Sequence, residues 1–490
     1  MRLDEDFLKK NINFATTSKR EKYLIISFLL SLCFYLGFAL IDGPVICKDS
    51  ESYISMNISR EPLYPLFLAI LRGLFGENTA FYDQPVYLCV AVIIQSLLWA
   101  AASFILGKTV YDEASKKELP QIFGKFSAPI LFGFAGVFAG FFVALLNRFA
   151  ALRGSMYSEC IMTESLAMPL FILLCIRLYK WTLYHERNDL IISMVYAFLI
   201  VSIRKQMMST LILVAALSIL NDLIRRSRNI KRFLVTIGLC TSVLLASSLF
   251  DHVYNYALRG AWMSHTGNTT AEFCTLIFSA DESDDKLFDE YGTTEMKELF
   301  DQIISESDSQ GLLLENVEEG ADIFTIGSAY ADSYDVIGYD VAPPVIYNYI
   351  ANTYGDVGEI QREVYRDEIQ AEISKVLLHQ DISDLILVYG INILKGLISS
   401  NARVMPIINE ISILIYICFL GMYAYFVKKK KTQITVLAEV SFGGILINSL
   451  VVGALIFPQP RYMIYSMSLF YICFFIMLIC ILQQKFTRKS

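Results

Sequence analysis

Apolar blocks of about the length that crosses a bilayer recur along most of this chain, and they restrict its fold more than any motif does. A hydrocarbon core of roughly 30 Å takes about 20 apolar residues as a helix, and within it each backbone amide has to bond inside its own segment. The first block, YLIISFLLSLCFYLGFALI, follows a basic stretch with Arg2, Lys9, Lys10, Lys19, Arg20 and Lys22. Others follow at 86–107, 129–146, 165–180, 190–203, 207–221 and 233–250, and after a long polar interval at 404–427, 434–457 and 463–483. The first block lacks the small-residue cleavage site of a signal peptide and reads as a span. Ten spans are therefore expected. With 55 % hydrophobic residues, a mean hydropathy of +0.49, and 28 Tyr and 34 Phe against 3 Trp, the expected fold is an all-α polytopic membrane protein.

Charge sets the expected orientation. Lys and Arg concentrate in the connections 108–128, 177–189, 222–232 and 428–431 (KKKK) and in the tail. The alternate short connections hold only Lys48, Arg60, Arg72, Arg148, Arg153, Arg204, Lys205 and Arg461. The bias predicts cytoplasmic termini in a cell membrane. Residues 251–384 then lie outside; they carry 28 Asp/Glu against 6 Lys/Arg, a local charge of −22 in a chain of net −7. The +15 remainder caps apolar blocks, so no nucleic-acid partner is expected. Apolar and acidic pieces alternate through 251–384, which predicts several short helices rather than disorder. Residues 384–400 read as an amphipathic helix at the membrane. The expected organisation is an N-terminal membrane module (1–250), an acidic extracytoplasmic region with a juxtamembrane helix (251–403) and a C-terminal membrane module (404–490).

Residues 42–75 stand out within this plan. They bring Asp42, Asp49, Glu51 and Arg60 just past the first span, then a 62–75 block opened by Pro62 and Pro65. That block is too short to span and reads as interfacial. The block at 129–146 is rich in Gly and Ala, which permits close helix contact. There is no GxGxxG, GKS/T, HExxH or CxxC motif, and His185, His252, His265 and His379 do not cluster in sequence, so nucleotide-hydrolase and zinc-hydrolase readings have no support. Seven cysteines lie in apolar blocks as small hydrophobes; Cys47 and Cys160 fall in outside connections, where a disulfide between them is an open alternative.

The notable ionisable residues near span ends all fall on the outside in this reading: Asp42, Asp49 and Glu51, Glu159 and Glu164, Arg204 and Lys205, and Arg461 beside Tyr462. A carboxylate there can act as a base toward a hydroxyl, and Arg or Lys can hold a phosphate. Taken one by one, each is equally a solvated loop residue or one that snorkels to headgroups.

Four stretches together resemble the integral-membrane GT-C glycosyltransferases, including the protein O-mannosyltransferase and aminoarabinose-transferase relatives. KDSESY (48–53) is similar to that family's first-loop acid followed by a tyrosine. REPLYPLFLAIL (60–71) resembles the start of its juxtamembrane helix, TESLAMPLF (163–171) its second-loop Glu, and PRYMIY (460–465) a late Arg-Tyr. The resemblance covers about the first 210 residues and the last span. It implies a GT-C-like bundle and inverting transfer of a sugar from a polyprenyl-phosphate donor to an extracytoplasmic glycan, lipid or protein acceptor. It also implies the roles. Asp49 ranks first as the base, Glu51 second and Asp42 third, with Glu164 orienting the acceptor or a helix end. Arg204, Lys205, Arg461 and Arg60 would hold the donor phosphate. Asp42, Tyr53, Tyr64, Glu159 and Tyr462 would complete the pocket. The Asp-Ser-Glu pattern is not the family's common Asp-Glu pair, so the choice between Asp49 and Glu51, and a divalent cation (Mg or Mn), stay open. Two other functions fit the same sequence: a polymerase or ligase of lipid-linked glycans, and a flippase or transporter of lipid-linked sugar. The absence of inverted repeats speaks against the second.

Overall fold

The computed structural model describes residues 18–78, 80, 81, 83–116, 127–149, 154–225, 229–398 and 406–486. Helix α1 (Lys19–Asp42) opens on a reciprocal cap: Glu21 N donates to Ser18 Oγ (3.2 Å) and Ser18 N to Glu21 Oε2 (2.8 Å). It stops at Gly43, whose φ of +64° with ψ of −161° suits glycine alone. Two short helices follow, α2 (Ser50–Ile54) and α3 (Leu63–Phe75), and then α4 (Val86–Lys116), α5 (Ala128–Phe149), α6 (Glu164–Tyr184), α7 (Arg187–Ile203), α8 (Ser209–Ser218, within a longer helical run Lys205–Ile224) and α9 (Ile230–Arg259). Helices α10 (Thr270–Ser279), α11 (Asp285–Tyr291), α12 (Thr294–Ser309), α13 (Ile323–Val336), α14 (Ala342–Tyr354), α15 (Glu359–Leu377) and α16 (Ile382–Ile398) form the acidic region. The chain ends with α17 (Pro406–Lys428), α18 (Thr432–Leu455) and α19 (Met467–Phe486), the last preceded by a single turn from Pro460.

Nine helical segments among the described residues are long and apolar enough to cross a membrane. This is a multi-pass membrane protein. The expected fifth span, α7, has 17 residues, about 26 Å at 1.5 Å per residue. Despite that length it runs back along its neighbour. The chain leaves the Glu164 end of α6, turns at His185, and returns to place Arg204 Nη1 3.3 Å from Thr163 Oγ1. Among the described residues, α7 thus adds one further pass along the bundle to the nine apolar segments.

Close approach of α4 and α5 explains the glycines of the third block: a Cβ on Gly136 would stand 2.9 Å from the Gly107 Cα. Helix α6 is the hub, with 83 % of its apolar window buried, whereas α1, α9 and α17 show most of theirs to the surroundings. The two membrane modules expected from sequence share one core, in which Phe132 meets Phe475 and Phe171 meets Tyr465. The boundary expected at 250 falls inside α9, which continues to Arg259 because Asp251, Tyr254 and Asn255 are buried against the acidic region. That region has its own core around Phe273, Phe278, Phe300, Ile346 and Ile373, each fully buried side chain worth about 1.5–3 kcal/mol.

Helix α3, 13 residues long, buries Tyr64, Leu68 and Leu71 and exposes Ile70 and Leu74, as an interfacial helix should. Helix α16 does the same with Leu385, Val388 and Ile391 against exposed Ile382, Ile386 and Leu394. One expectation fails. Ionisable residues do not gather at one end of the bundle only: Arg20–Asp112 (3.0 Å), Lys116–Glu113 (2.8 Å), Arg177–Asp189 (2.8 Å) and Arg232–Asp222 pair at the other.

Candidate active site

Asp49 is the residue immediately before α2, and its turn is tied down from both sides. Ser50 Oγ accepts from Cys47 N (2.7 Å) and donates to Ile161 O (2.8 Å), while Val45 N donates to Glu159 O (2.9 Å) and Ile161 N to Val45 O (3.0 Å). The loops bearing Cys47 and Cys160 thus meet through their backbones, and both cysteines are thiols. Two guanidiniums converge on the Asp49 carboxylate. Arg60 Nη2 lies 3.1 Å from Oδ1, and Arg461 Nη1, from the start of the last span, 2.7 Å from Oδ2. Arg60 is aimed by Ser52 Oγ (2.7 Å) and by the Tyr53 ring beneath it, and Arg461 by the Tyr462 hydroxyl (2.6 Å). Burial alone would raise the Asp49 pKa, but Arg461 and Arg60 outweigh it and hold the carboxyl below the usual range. Asp49 is an ionised carboxylate at neutral pH.

A second pair stands beside the first. Arg204 Nη1 lies 2.5 Å from Glu164 Oε1 and 3.3 Å from Thr163 Oγ1, and its Nε donates to Gln206 (3.0 Å). Glu164 is fully buried at the first turn of α6, where a carboxylate also suits the helix dipole. The guanidiniums of Arg204 and Arg461 both sit over the Tyr462 ring, at 4.6 and 4.7 Å, so each loses little freedom in keeping its place. Lys205 is positioned through its backbone, whose N–H donates to Glu61 Oε1 (2.8 Å). Its ammonium makes no ion pair with a described residue.

These groups line a cavity of about 660 Å³ between the bundle end and the acidic region, within the range of small-molecule sites. Asp49, Tyr53, Arg60, Arg204, Lys205, Arg461 and Tyr462 form one wall; His265, Asn268, Tyr339, Glu363 and Arg366 form part of the other. His265 is held by Asp251, with Nδ1 2.6 Å from Oδ2 and its own N–H also on the carboxylate (3.2 Å). Arg366 pairs with Glu363 (2.6 Å).

Seven of the residues expected from sequence therefore share one wall, and Glu164 supports that wall from behind. Four do not reach the cavity. Glu51 is exposed and turned away, because 50–54 is helical and places it on a different face from Asp49. Asp42 and Glu159 belong to a separate, half-buried cluster on Arg148, which contacts both Asp42 oxygens (Nη2–Oδ1 3.2 Å) and Glu159 (3.4 Å). There burial, then the neighbouring Asp42, pushes the Glu159 pKa up. Tyr64 is a core residue: its hydroxyl donates to Gln95 (3.0 Å), which in turn holds the carbonyls of Ser158 and Cys160.

Sequence reasoning missed Glu61, Thr163, Arg148, Arg366 and the His265–Asp251 pair. Glu61 and Thr163 adjoin named residues and were within its reach. The pairing of His265 with Asp251 depends on how the chain leaves α9, and no local pattern announces it. The divalent cation left open by the sequence finds no fitting donor set: among the described residues no three His, Cys, Asp or Glu side chains gather as metal ligands. Both Asp49 oxygens face guanidiniums instead. Comparison of the chain with models of protein families, with curated proteins and with solved structures found no match.

Proposed function

We propose that this cavity is the active site of a membrane glycosyltransferase of the GT-C kind, which moves a sugar from a polyprenyl-phosphate donor to a glycan, lipid or protein acceptor on the extracytoplasmic side of the cell membrane. The observation that carries the proposal is the meeting of the ionised Asp49 carboxylate with Arg60, Arg204, Lys205 and Arg461 in one cavity at the ends of membrane-crossing helices. A polyprenyl donor reaches this level from the bilayer. Its phosphate meets the Lys205 ammonium, which makes no ion pair with a described residue, beside the guanidiniums of Arg60, Arg204 and Arg461 that line the cavity. An acceptor hydroxyl enters from the side of the acidic region. Asp49 takes its proton, the oxygen attacks the anomeric carbon from the face opposite the phosphate, and the carbon–oxygen bond to phosphate breaks with inversion. Phosphate leaves as a stabilised anion, so no second carboxyl is needed as an acid, in contrast to a glycosidase. The Lys/Arg bias of the connections supports cytoplasmic termini and an extracytoplasmic cavity. The test is incubation of purified protein with a panel of synthetic polyprenyl-phosphate sugars and with membrane extract as acceptor. Transfer from one donor, with inverted configuration in the product, is expected. Vectorial movement of the intact donor across vesicles without transfer would replace this reading with that of a flippase.

A further inference from the structure

A second cavity lies at the opposite end of the bundle, away from the chemistry proposed above. It holds about 300 Å³ among α4, α5, α6, α18 and α19, at the lower end of ligand-site volumes. Its depth is apolar, formed by Leu106, Phe132, Ile176, Leu437, Leu469 and Ile476. From Glu113 at the rim to Leu106, α4 descends about 10 Å. The mouth is cationic. There the turn from α17 to α18 sets Lys429, Lys430 and Lys431, all exposed, on the cavity lining. None of the three makes an ion pair with a described carboxylate, and Lys429 stands 5.9 Å from the Tyr425 ring.

The turn itself shows that charge is kept there at a conformational cost. Lys431 N donates to Phe426 O (3.1 Å) and Lys430 N to Val427 O (3.0 Å), the pair of hydrogen bonds that ends a helix on a left-handed residue. Lys430 is that residue, with φ +55°, at a position that glycine fills with less strain. The carboxylate at the rim, Glu113, is already engaged by Lys116 (2.8 Å), the Tyr184 hydroxyl (2.5 Å) and Gln433 Nε2 (3.3 Å).

We propose that this cavity binds an anionic phospholipid, one acyl chain entering the apolar depth and the phosphate lying under Lys429, Lys430 and Lys431. A zwitterionic lipid would bring its own ammonium beside the three lysines and no net negative charge to offset them, and a free anion would leave the apolar depth empty. Basic recesses between membrane helices have the chemistry for such headgroups. The bound lipid ties α4, α6, α18 and α19 together at the end remote from the candidate active site, and so stabilises the folded bundle by mass action.

The experiment is native mass spectrometry of the purified protein in neutral detergent, with thermal melting in parallel. The probes are dioleoyl phosphatidylglycerol, dioleoyl phosphatidylcholine and glycerol 3-phosphate. Phosphatidylglycerol alone should be retained and raise the melting midpoint. Replacing Lys429, Lys430 and Lys431 together by Gln should weaken its binding on the order of 100-fold, about fivefold per lysine. Val110→Phe, which fills the cavity and leaves the charges in place, should abolish retention. Equal retention of the two lipids, binding of glycerol 3-phosphate as tight as that of the lipid, or a phosphatidylglycerol preference that survives the lysine substitutions would overturn the proposal. The lysines are exposed, so their variant is expected to fold, and none of these outcomes depends on whether the protein transfers sugar.

Discussion

Among the cations around Asp49, what separates the residues is how many of their donors are already spent. Arg461 gives Nη1 to Asp49 and Nη2 to Tyr462, whereas Lys205 has its whole ammonium available. Lys205→Ala should therefore weaken binding of polyprenyl phosphate by roughly 1.5–3 kcal/mol, the worth of a charge-assisted contact. Arg461→Ala should in addition lower the melting temperature, because it leaves Asp49 with one cation in place of two; fluorescence titration and thermal melting distinguish the two effects. The Glu159 cluster makes a prediction about pH. Its pKa is raised by burial and by Asp42, so the folded state binds a proton that the unfolded chain releases near pH 4.3. The stability this contributes is full below that pH and is lost as the pH rises through the raised value. Melting of the wild type should fall with rising pH over this window more steeply than melting of Glu159→Gln, which cannot release the proton.

At the scale of elements, the length of the apolar blocks was enough to place the membrane helices, and local periodicity to place the amphipathic α3 and α16, each of which buries one stripe of its own sequence. Periodicity could not settle facing where two secondary structures were open. Glu51 shares the Asp49 wall only if 50–54 is extended; it is a helix, and Glu51 is exposed. Nor could it show that Asp42 is consumed by Arg148, a partner 106 positions away, or that acids also pair at the far end. The close packing of α4 on α5 was legible in the Gly/Ala content of the third block and gives a direct check. Gly136→Val puts carbon into the Gly107 backbone and should cost about 1–3 kcal/mol. Gly73→Ala in α3, where nothing lies within 4 Å, should be neutral or stabilise by up to about 1 kcal/mol. Melting of the two variants side by side tests the contact.

On the scale of the whole molecule, the candidate site is assembled from parts far apart in sequence: Asp49 and Arg461 are 412 positions apart. The sequence offered the individual acids and cations, and a family resemblance proposed that they belong together, but only the fold shows which share a wall. The orientation proposed for that wall rests on the Lys/Arg bias and is open to labelling. Ser283→Cys, exposed in the acidic region, should react with an impermeant thiol reagent in sealed cells, and Lys430→Cys only after permeabilisation; the reverse pattern would invert the topology. The most direct test of the central claim, that Asp49 in this cavity carries sugar transfer, is the rate of transfer from the active polyprenyl-phosphate sugar by purified wild type, Asp49→Asn and Glu51→Gln. Loss of a general base costs roughly 10²–10⁴ in rate, so Asp49→Asn should fall by that factor with donor binding retained, while Glu51→Gln stays within about threefold of wild type. Near-normal turnover by folded Asp49→Asn would contradict the account.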